Sequence, residues 1–362
     1  MIQERGCTKI KGQDKKQITI KDIADICGVG VSTVSRALNN QPDINPETKQ
    51  KIMCTIKQQG YIPNSNARGL RRLDGKCIAV IVKGFYNPLL AEVIPIIEEE
   101  IKQRKYATVI RYVHFDENEV DVALQLEKKE KLSGVIFLGG YFAQGEKYLK
   151  KLKIPFILST SECHLDGMKL GQYSTLSVDN KKESYRMTEY LIRQGHRKIA
   201  VLSGIPDNAN IGVLRLEGYK EALIDYGINV DENLILPMKE NSLFYSMENG
   251  YLMTKELLKS NKRFTCIFAF SDAMAIGACR AVTDCGKRIP EDYSIAGFDG
   301  IEMGKYYNPK LTTIRQPVYD IAKESVEALW RILEGRSTYV HKIFKADLIE
   351  GESVLKCKEV SI

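Results

Sequence analysis

Apolar residues recur every three or four positions from Ile20 to Leu38, in the stretch IKDIADICGVGVSTVSRAL. Ile20, Ile23, Ala24 and Cys27 form one apolar face of a short first helix, the spacing of an amphipathic helix. Gly28 ends it, because a helix often closes on a left-handed residue and glycine reaches that conformation cheaply. Val29 opens a second helical run, in which Val34 and Leu38 pack back against the first. A small Ala24 lets the helices cross closely, Gly28 makes the corner and Val34 fills the gap, the order that a helix-turn-helix demands. Asn45-Pro46-Glu47 then starts a third helix, with an N-cap amide, a proline at the first position and an acid in the first turn. It runs to about Gly60, with Ile52, Ile56 and Met53 expected on its buried side, and Tyr61-Ile62-Pro63 ends it. Three helices in about 45 residues make a small domain, marginal by itself.

Residues 64–72, NSNARGLRR, carry a helix cap, an Ala-Arg-x-Leu core and three arginines. They have too few turns to stand as a helix alone in water, and Gly69 weakens them further. An almost-helical basic stretch between two domains is a candidate to fold on contact with DNA; the alternative is a plain linker.

From Cys77 the pattern changes to buried apolar runs alternating with amphipathic ones. CIAVIV (77–82), TVIRYV (108–113), GVIFLG (134–139) and IPFILS (154–159) read as parallel strands, with helices near 88–104, 117–130 and 145–152. A second set follows at 198–204, 265–271 and 293–299, with helices near 181–194, 212–226, 244–260 and 272–285. Two sets of βα units predict two doubly wound sheets, and ligands of such sheets gather at the carboxyl ends of the strands. Two such edges facing each other would make a cleft.

Charge sharpens the division. Of the 362 residues, the first 76 hold fourteen Lys/Arg and seven Asp/Glu, so the whole net charge of +7 lies there and the remainder balances to zero. That asymmetry is the footprint of a nucleic-acid partner. Nine cysteines, with no C-x-x-C pair and several inside apolar runs such as TCIFAF, point to a reducing cytosol. The first seventeen residues are polar and charged, which reads as a basic disordered arm and not as a signal peptide, and no apolar run is long enough to span a membrane. A cytoplasmic protein is expected.

The polar face of the second helix carries Val31, Ser32, Thr33, Ser35, Arg36 and Asn39. Short hydroxyls, one arginine and one amide suit phosphate contacts and base-edge hydrogen bonds better than a solvated Glu/Lys face would. The four histidines, 114, 164, 196 and 341, have no metal spacing, and His196 reads as structural. No Ser-His-Asp set, paired carboxylates or glycine-rich phosphate loop can be singled out. No cofactor or metal is called for, and there is no positive case for an enzyme.

DIADICGVGVSTVSRALNNQPDINPETKQKI resembles the headpiece of the LacI/GalR family of bacterial transcription repressors. The resemblance continues through GYIPNSNARGLRR, NPLLAEV, GHRKIAVLSG, RLEGYKEAL, FSDAMAIGACRA, IPEDYSIAGFDG and NPKLTTIRQP, covering roughly residues 18–350 in family order. It implies an α/β protein with an N-terminal three-helix headpiece (18–63), a hinge helix and linker (64–75), and a two-lobed periplasmic-binding-protein-like core (76–362). The N-lobe would take about 76–178 and 316–342, the C-lobe about 179–315 and 343–356.

The function so implied is a repressor that binds a palindromic DNA operator as a homodimer and answers to a small effector, a sugar or sugar-like molecule. Val31 and Ser32 fall where the family varies its base-reading side chains. Arg36 falls on the arginine of TVSR, for base readout or phosphate, and Ser35 and Asn39 fall on backbone-positioning sites. Thr19, Thr33, Asn64 and Arg68 complete the candidate DNA contacts, and Leu70 matches a leucine that wedges into the minor groove and kinks the duplex. In the core, Arg215 and Asp299 match residues that grip the ligand, and Phe85, Ser159, Ser271 and Asp272 join them as candidate effector contacts. Each has a structural alternative: Asp272 and Asp299 as helix caps, Arg215 as a surface ion pair.

Departures from the family pattern qualify this. Gly30 replaces a usual serine and cannot offer a hydroxyl to phosphate. Gly69 replaces a commoner serine. Ser271 stands where asparagine is frequent, and Ser159-Thr160 where an Asp-Arg pair is frequent, which removes charge from the cleft. The rival reading is a sugar-binding receptor with no DNA role, which residues 77–350 alone would fit but the basic headpiece does not.

Overall fold

The computed structural model describes residues 18–38, 44–59, 76–84, 87–114, 117–140, 142, 145–161, 173–204, 211–238, 245–336 and 339–357. The chain separates into two compact units, Met1–Arg72 and Leu73–Ile362.

In the first unit the hydrophobic pattern becomes three helices: α1 (Ile20–Cys27), α2 (Val31–Leu38) and α3 (Pro46–Gln59). Thr19 and Asp22 close a capping box on α1, the threonine hydroxyl accepting from Asp22 N at 3.4 Å while the Asp22 carboxylate accepts from Thr19 N at 2.7 Å. Gly28 ends α1 at φ 69°, in the left-handed region expected of a glycine corner. The Lys51 ammonium of α3 donates to the freed Cys27 carbonyl at 3.1 Å. Asn45 caps α3, its side-chain oxygen accepting from Glu47 N and Thr48 N. Ile23, Ala24, Cys27, Val34, Ala37 and Ile52 form the core, with Ile20, Leu38 and Ile56 packed on it. Two expectations need correcting. Met53 is 44% exposed and lies outside this core, and α2 begins at Val31, since Val29 belongs to the turn.

The second unit holds two six-stranded sheets. The first, in the order β11-β5-β4-β3-β1-β2, is parallel throughout and uses β1 (Cys77–Lys83), β2 (Ala107–Val113), β3 (Gly134–Leu138), β4 (Phe156–Ser159), β5 (Ser174–Val178) and β11 (His341–Phe344). Helices α4 (Pro88–Gln103), α5 (Glu119–Lys129) and the short α6 (Gly145–Leu149) connect its strands. The second, in the order β12-β10-β9-β8-β6-β7, uses β6 (Ile199–Ser203), β7 (Ile235–Pro237), β8 (Cys266–Ala269), β9 (Ser294–Asp299), β10 (Thr312–Arg315) and β12 (Asp347–Ile349), parallel except for the antiparallel β10–β12 pair. Its helices are α7 (Asn180–Arg193), α8 (Ile211–Asp225), α9 (Met247–Lys259), α10 (Asp272–Asp284) and the short α11 (Glu302–Tyr306). Helix α12 (Val318–Leu333) follows β10 but packs its Val326 and Leu329 with Ile97 and Ile101 of the first lobe.

The chain therefore crosses between lobes three times, between β5 and α7, between β10 and α12, and between β11 and β12. Strands such as β1 and β3, buried at every residue, are the long apolar runs of the sequence, as parallel sheets covered on both faces require. Strands β5, β7, β10, β11 and β12 were not foreseen: they are short, and STLSV, TTIR and HKIF carry too much polarity to read as apolar runs.

Candidate DNA-reading helix and effector cleft

Helix α2 buries Val34 and Ala37 and turns Val31, Ser32 and Arg36 outward, with Thr33 and Ser35 half-buried between the two faces. Gly30 supplies the carbonyl that receives the first helical bonds, from Thr33 N at 2.9 Å and Val34 N at 3.2 Å. The outward face is the one whose residue types suit base edges and phosphates. Thr19 sits just ahead of α1 with its hydroxyl held by Asp22. Asn39, Asn64, Arg68, Leu70 and the whole hinge segment lie outside the described residues, as does Phe85 in the core.

The cleft between the core lobes is lined by Lys83, Gly84, Asn87, Leu89, Leu90, Gly139, Gly140, Thr160, Ile211, Arg215, Tyr245, Asp299 and Gln316. These stand at the carboxyl ends of β1, β3, β4 and β9 and on the segments that follow, where a doubly wound sheet gathers its ligands. Arg215 and Asp299 are at its heart, 2% and 1% exposed. The Arg215 guanidinium donates to Asn180 Oδ1 at 2.9 Å and to the Phe270 carbonyl, lies 3.6 Å above the Phe298 ring and comes within 3.7 Å of Asp299 Oδ1. The Asp299 carboxylate accepts from Gln316 Nε2 at 2.9 Å and, across the cleft, from Asn87 Nδ2 at 3.1 Å. Burial pushes its carboxyl up to about 6, against the opposing pull of Arg215. Arg215 is thus no surface ion pair, and Asp299 caps no helix.

The charged pair is tied to the crossings. Asn180 stands at the first crossing, where its amide donates to Ser177 and Val178, and Gln316 stands at the second. On the N-lobe side Lys83 donates to Glu119 Oε2 at 2.7 Å and to the Glu117 carbonyl at 2.8 Å, a buried ion pair on the cleft wall.

Backbone strain gathers in the same place. The described non-glycine residues with positive φ are Lys105, Phe142, Thr160, Tyr245 and Asp299, and the last three line the cleft. Such conformations persist only where the surroundings hold them, and they concentrate at binding sites.

Three expected effector contacts stand behind the lining of the cleft. Ser159 is fully buried and its hydroxyl accepts from Ser325 of α12 at 2.8 Å. Ser271 caps α10, accepting from Met274 N at 3.1 Å, and donates to the Tyr245 carbonyl at 3.4 Å. Asp272 accepts from Gly300 N, Ile301 N and the Thr313 hydroxyl, which locks the turn after Asp299 in place. None of the three lines the cleft; they brace residues that do. Asn87, Thr160, Tyr245 and Gln316 line it instead. Asn87 and Gln316 stand in NPLLAEV and TTIRQP, motifs that were legible as motifs without their polar residues being assigned to the site.

The lobes also touch at other residues. Glu302 N of α11 donates to Glu92 Oε1 of α4 at 2.8 Å, and Leu89 packs against Ile276 and Ile301. The cleft between them holds about 50 Å3.

Comparison with known proteins agrees with both halves. Residues 19–64 match the model for bacterial regulatory proteins of the lacI family, and residues 188–354 match that of the periplasmic binding protein-like domain. The HTH-type transcriptional regulator MalR of Clostridium butyricum is 39% identical over 341 residues, covering 93% of this chain and 99% of MalR. Among solved structures, the transcriptional regulator CelR–cellobiose complex superposes with a TM-score of 0.67 at 26% identity, over 93% of this chain and 99% of that one. A LacI family regulator from Enterococcus faecium with bound ribose gives 0.66 at 29%, over 78% and 100%. A helix-turn-helix alone would leave the two-lobed core unexplained, and a binding-protein core alone would leave the basic headpiece unexplained. Found in this order on one chain, they place it in the LacI family of bacterial transcriptional regulators, which bind DNA under effector control and are not enzymes.

Proposed function

We propose that this regulator is a cytoplasmic homodimeric repressor of a palindromic operator, and that a sugar in the core cleft sets its affinity for DNA. The observation that carries the effector half is the wiring of Arg215 and Asp299 to two of the three lobe crossings through Asn180 and Gln316. A ligand that takes hydrogen bonds from these side chains competes with the Asn87–Asp299 bond and so acts on the lobe orientation. The relatives with cellobiose and ribose bound support a sugar as the ligand class.

On DNA, Val31 and Ser32 read base edges, Arg36 reads a guanine edge or holds a phosphate, and Thr19, Thr33, Ser35 and Asn39 position the headpiece on the backbone. Asn64, Arg68 and Leu70 act in the hinge, Leu70 as the wedge at the operator centre. A single headpiece binds weakly, whereas two-fold pairing places two of them in successive major grooves. Lobe orientation sets the spacing of the two hinge segments, and a coupling of about 1–3 kcal/mol suffices to change operator occupancy severalfold.

Selection of bound duplexes from a random pool by the purified protein, repeated with a panel of sugars, tests both halves. A palindrome with a flexible central step should be enriched, and one class of sugar should alter its retention. Enrichment of an unpaired half-site would refute the dimer.

A further inference from the structure

The three crossings that join the lobes run side by side. Phe344 at the end of β11 pairs with Val178 at the end of β5, and Asp347 at the start of β12 pairs with Arg315 at the end of β10. The third crossing, Lys345-Ala346, therefore lies between the first and the second. A change in lobe orientation, and any effector response that works through one, has to bend these three strips of backbone. Lys345 is exposed, but Ala346 is 1% exposed and belongs to the core of the C-lobe.

An ion pair from the first two turns of α7 holds Ala346 there. Arg186 donates to the Ala346 carbonyl from both terminal nitrogens, Nη1 at 3.2 Å and Nη2 at 3.3 Å. Its Nη1 also lies 2.9 Å from Glu183 Oε2. Helix α7 begins at Asn180, directly after the first crossing, so the pair ties the third crossing to the helix that leaves the first. An acid near the start of a helix serves the helix dipole equally well from the surface. Glu183 is instead 4% exposed, and its Oε2 makes no hydrogen bond among the described residues. It meets Arg186 as a charge and not through a directed bond. Burial pushes its carboxyl up, against the opposing pull of Arg186 and of the Ala346 amide. Desolvating the charge thus costs more than its partners return, which is not how a pair kept for stability behaves. What the pair supplies is orientation: with Glu183 beside it, the planar guanidinium keeps both terminal nitrogens on one carbonyl.

We propose that Glu183 and Arg186 are positioning residues of the lobe hinge. They pin the third crossing to the C-lobe, so that the lobes turn at Lys345 and the three crossings move together. The pin acts on the lobe motion itself and serves any ligand of the cleft.

Hydrogen–deuterium exchange of the full-length, ligand-free protein tests it. Arg186→Met alone would strand a buried carboxylate and threaten the fold. The variant is therefore the double Glu183→Gln/Arg186→Met, which removes both charges. Glu183→Gln, which leaves the Arg186 bonds to Ala346 in place, is the conservative comparison. In the double variant, peptides spanning 341–349 should exchange about tenfold faster or more. Peptides spanning 174–182 and 312–318 should follow severalfold, while β3 and β8, inside the two sheets, keep wild-type rates. Glu183→Gln should fall between wild type and the double variant. The thermal midpoint of both variants at neutral pH should stay level or rise, because the desolvated charge is gone. Unchanged exchange at 341–349 in the double variant would overturn the pin. Faster exchange there alone, with the neighbouring crossings unmoved, would overturn the shared hinge. Faster exchange throughout the core with a lower midpoint would make the pair an ordinary stabilising contact and overturn the proposal as a whole.

Discussion

His196 shows how much a single side chain carries away from the site. It is 2% exposed, with Nδ1 2.9 Å from the Thr265 hydroxyl and Nε2 3.2 Å from the Leu355 carbonyl, so it ties the C-terminal segment to the edge of β8. Burial pushes its imidazole down from 6.5 to about 4. The unfolded chain therefore binds a proton below pH 6.5 that the folded chain refuses, and the stability this residue contributes is complete above 6.5 and lost as pH falls toward 4. By pH 5 the loss is about 2 kcal/mol. Buried Asp272 and Asp299, raised to about 7 and about 6, act in the opposite sense over nearly the same window, so wild type alone would mask it. Urea denaturation of wild type and His196→Gln at pH 5 and 7.5 separates the two. The variant should lose less stability on acidification than wild type, and an equal loss would show that His196 is protonated in the fold. GHRKIA was legible as a structural histidine. Ser271 and Asp272 were legible as polar residues in a site motif, but not as side chains facing away from the cleft. Sequence spacing places a residue on an element; the depth to which its neighbours enclose it is decided by the third dimension.

Elements were legible wherever one periodicity held for long enough. The turn between α1 and α2 holds two glycines whose demands differ, which makes them a matched test. Gly28 sits at φ 69°, where a β-carbon is strained whatever the space around it. Gly28→Ala should therefore cost the headpiece about 1 kcal/mol and reduce affinity for a selected operator. Gly30 has no positive φ, and an added β-carbon would meet the Ser32 hydroxyl at an ordinary 3.4 Å. Gly30→Ser should gain a few tenths of a kcal/mol as an N-cap and add a neutral donor beside the phosphates. Fluorescence anisotropy against the same duplex at several salt concentrations should show tighter binding with an unchanged salt slope, because the slope counts cations on phosphates and serine adds none. A steeper slope would mean that the headpiece had been repositioned. The turn carrying Tyr245 ahead of α9, which the sequence reading placed inside a helix near 244–260, lacked any such regularity. Its course depends on a left-handed residue, Tyr245 at φ 53°, and on the space that Gly204, about forty residues earlier, leaves for the phenol.

At the scale of the whole molecule, the question is what links an occupied cleft to DNA. Linkage requires the factor by which effector changes operator affinity to equal the factor by which operator changes effector affinity. The lobes are held together by the Asn87–Asp299 bond, the Glu92–Glu302 contact and the Leu89 cluster. Of these, only the first is a hydrogen bond between side chains that line the cleft. Asn87 has a second task, capping α4 by accepting from Leu89 N at 3.0 Å. Serine preserves that cap but is too short to keep the amide donor on Asp299, so Asn87→Ser removes the bridge without loosening the helix. If the bridge holds the lobes in one of the two orientations, its loss should move both coupling factors toward one together. Effector titrations with and without operator, and operator titrations with and without effector, measure the two factors independently. Equal factors that shrink in the variant would establish the bridge as part of the switch. Factors that stay as large as in wild type would leave the Asn87–Asp299 bond a contact of the closed cleft and nothing more, and would shift the burden of coupling to Asn180 and Gln316 at the crossings.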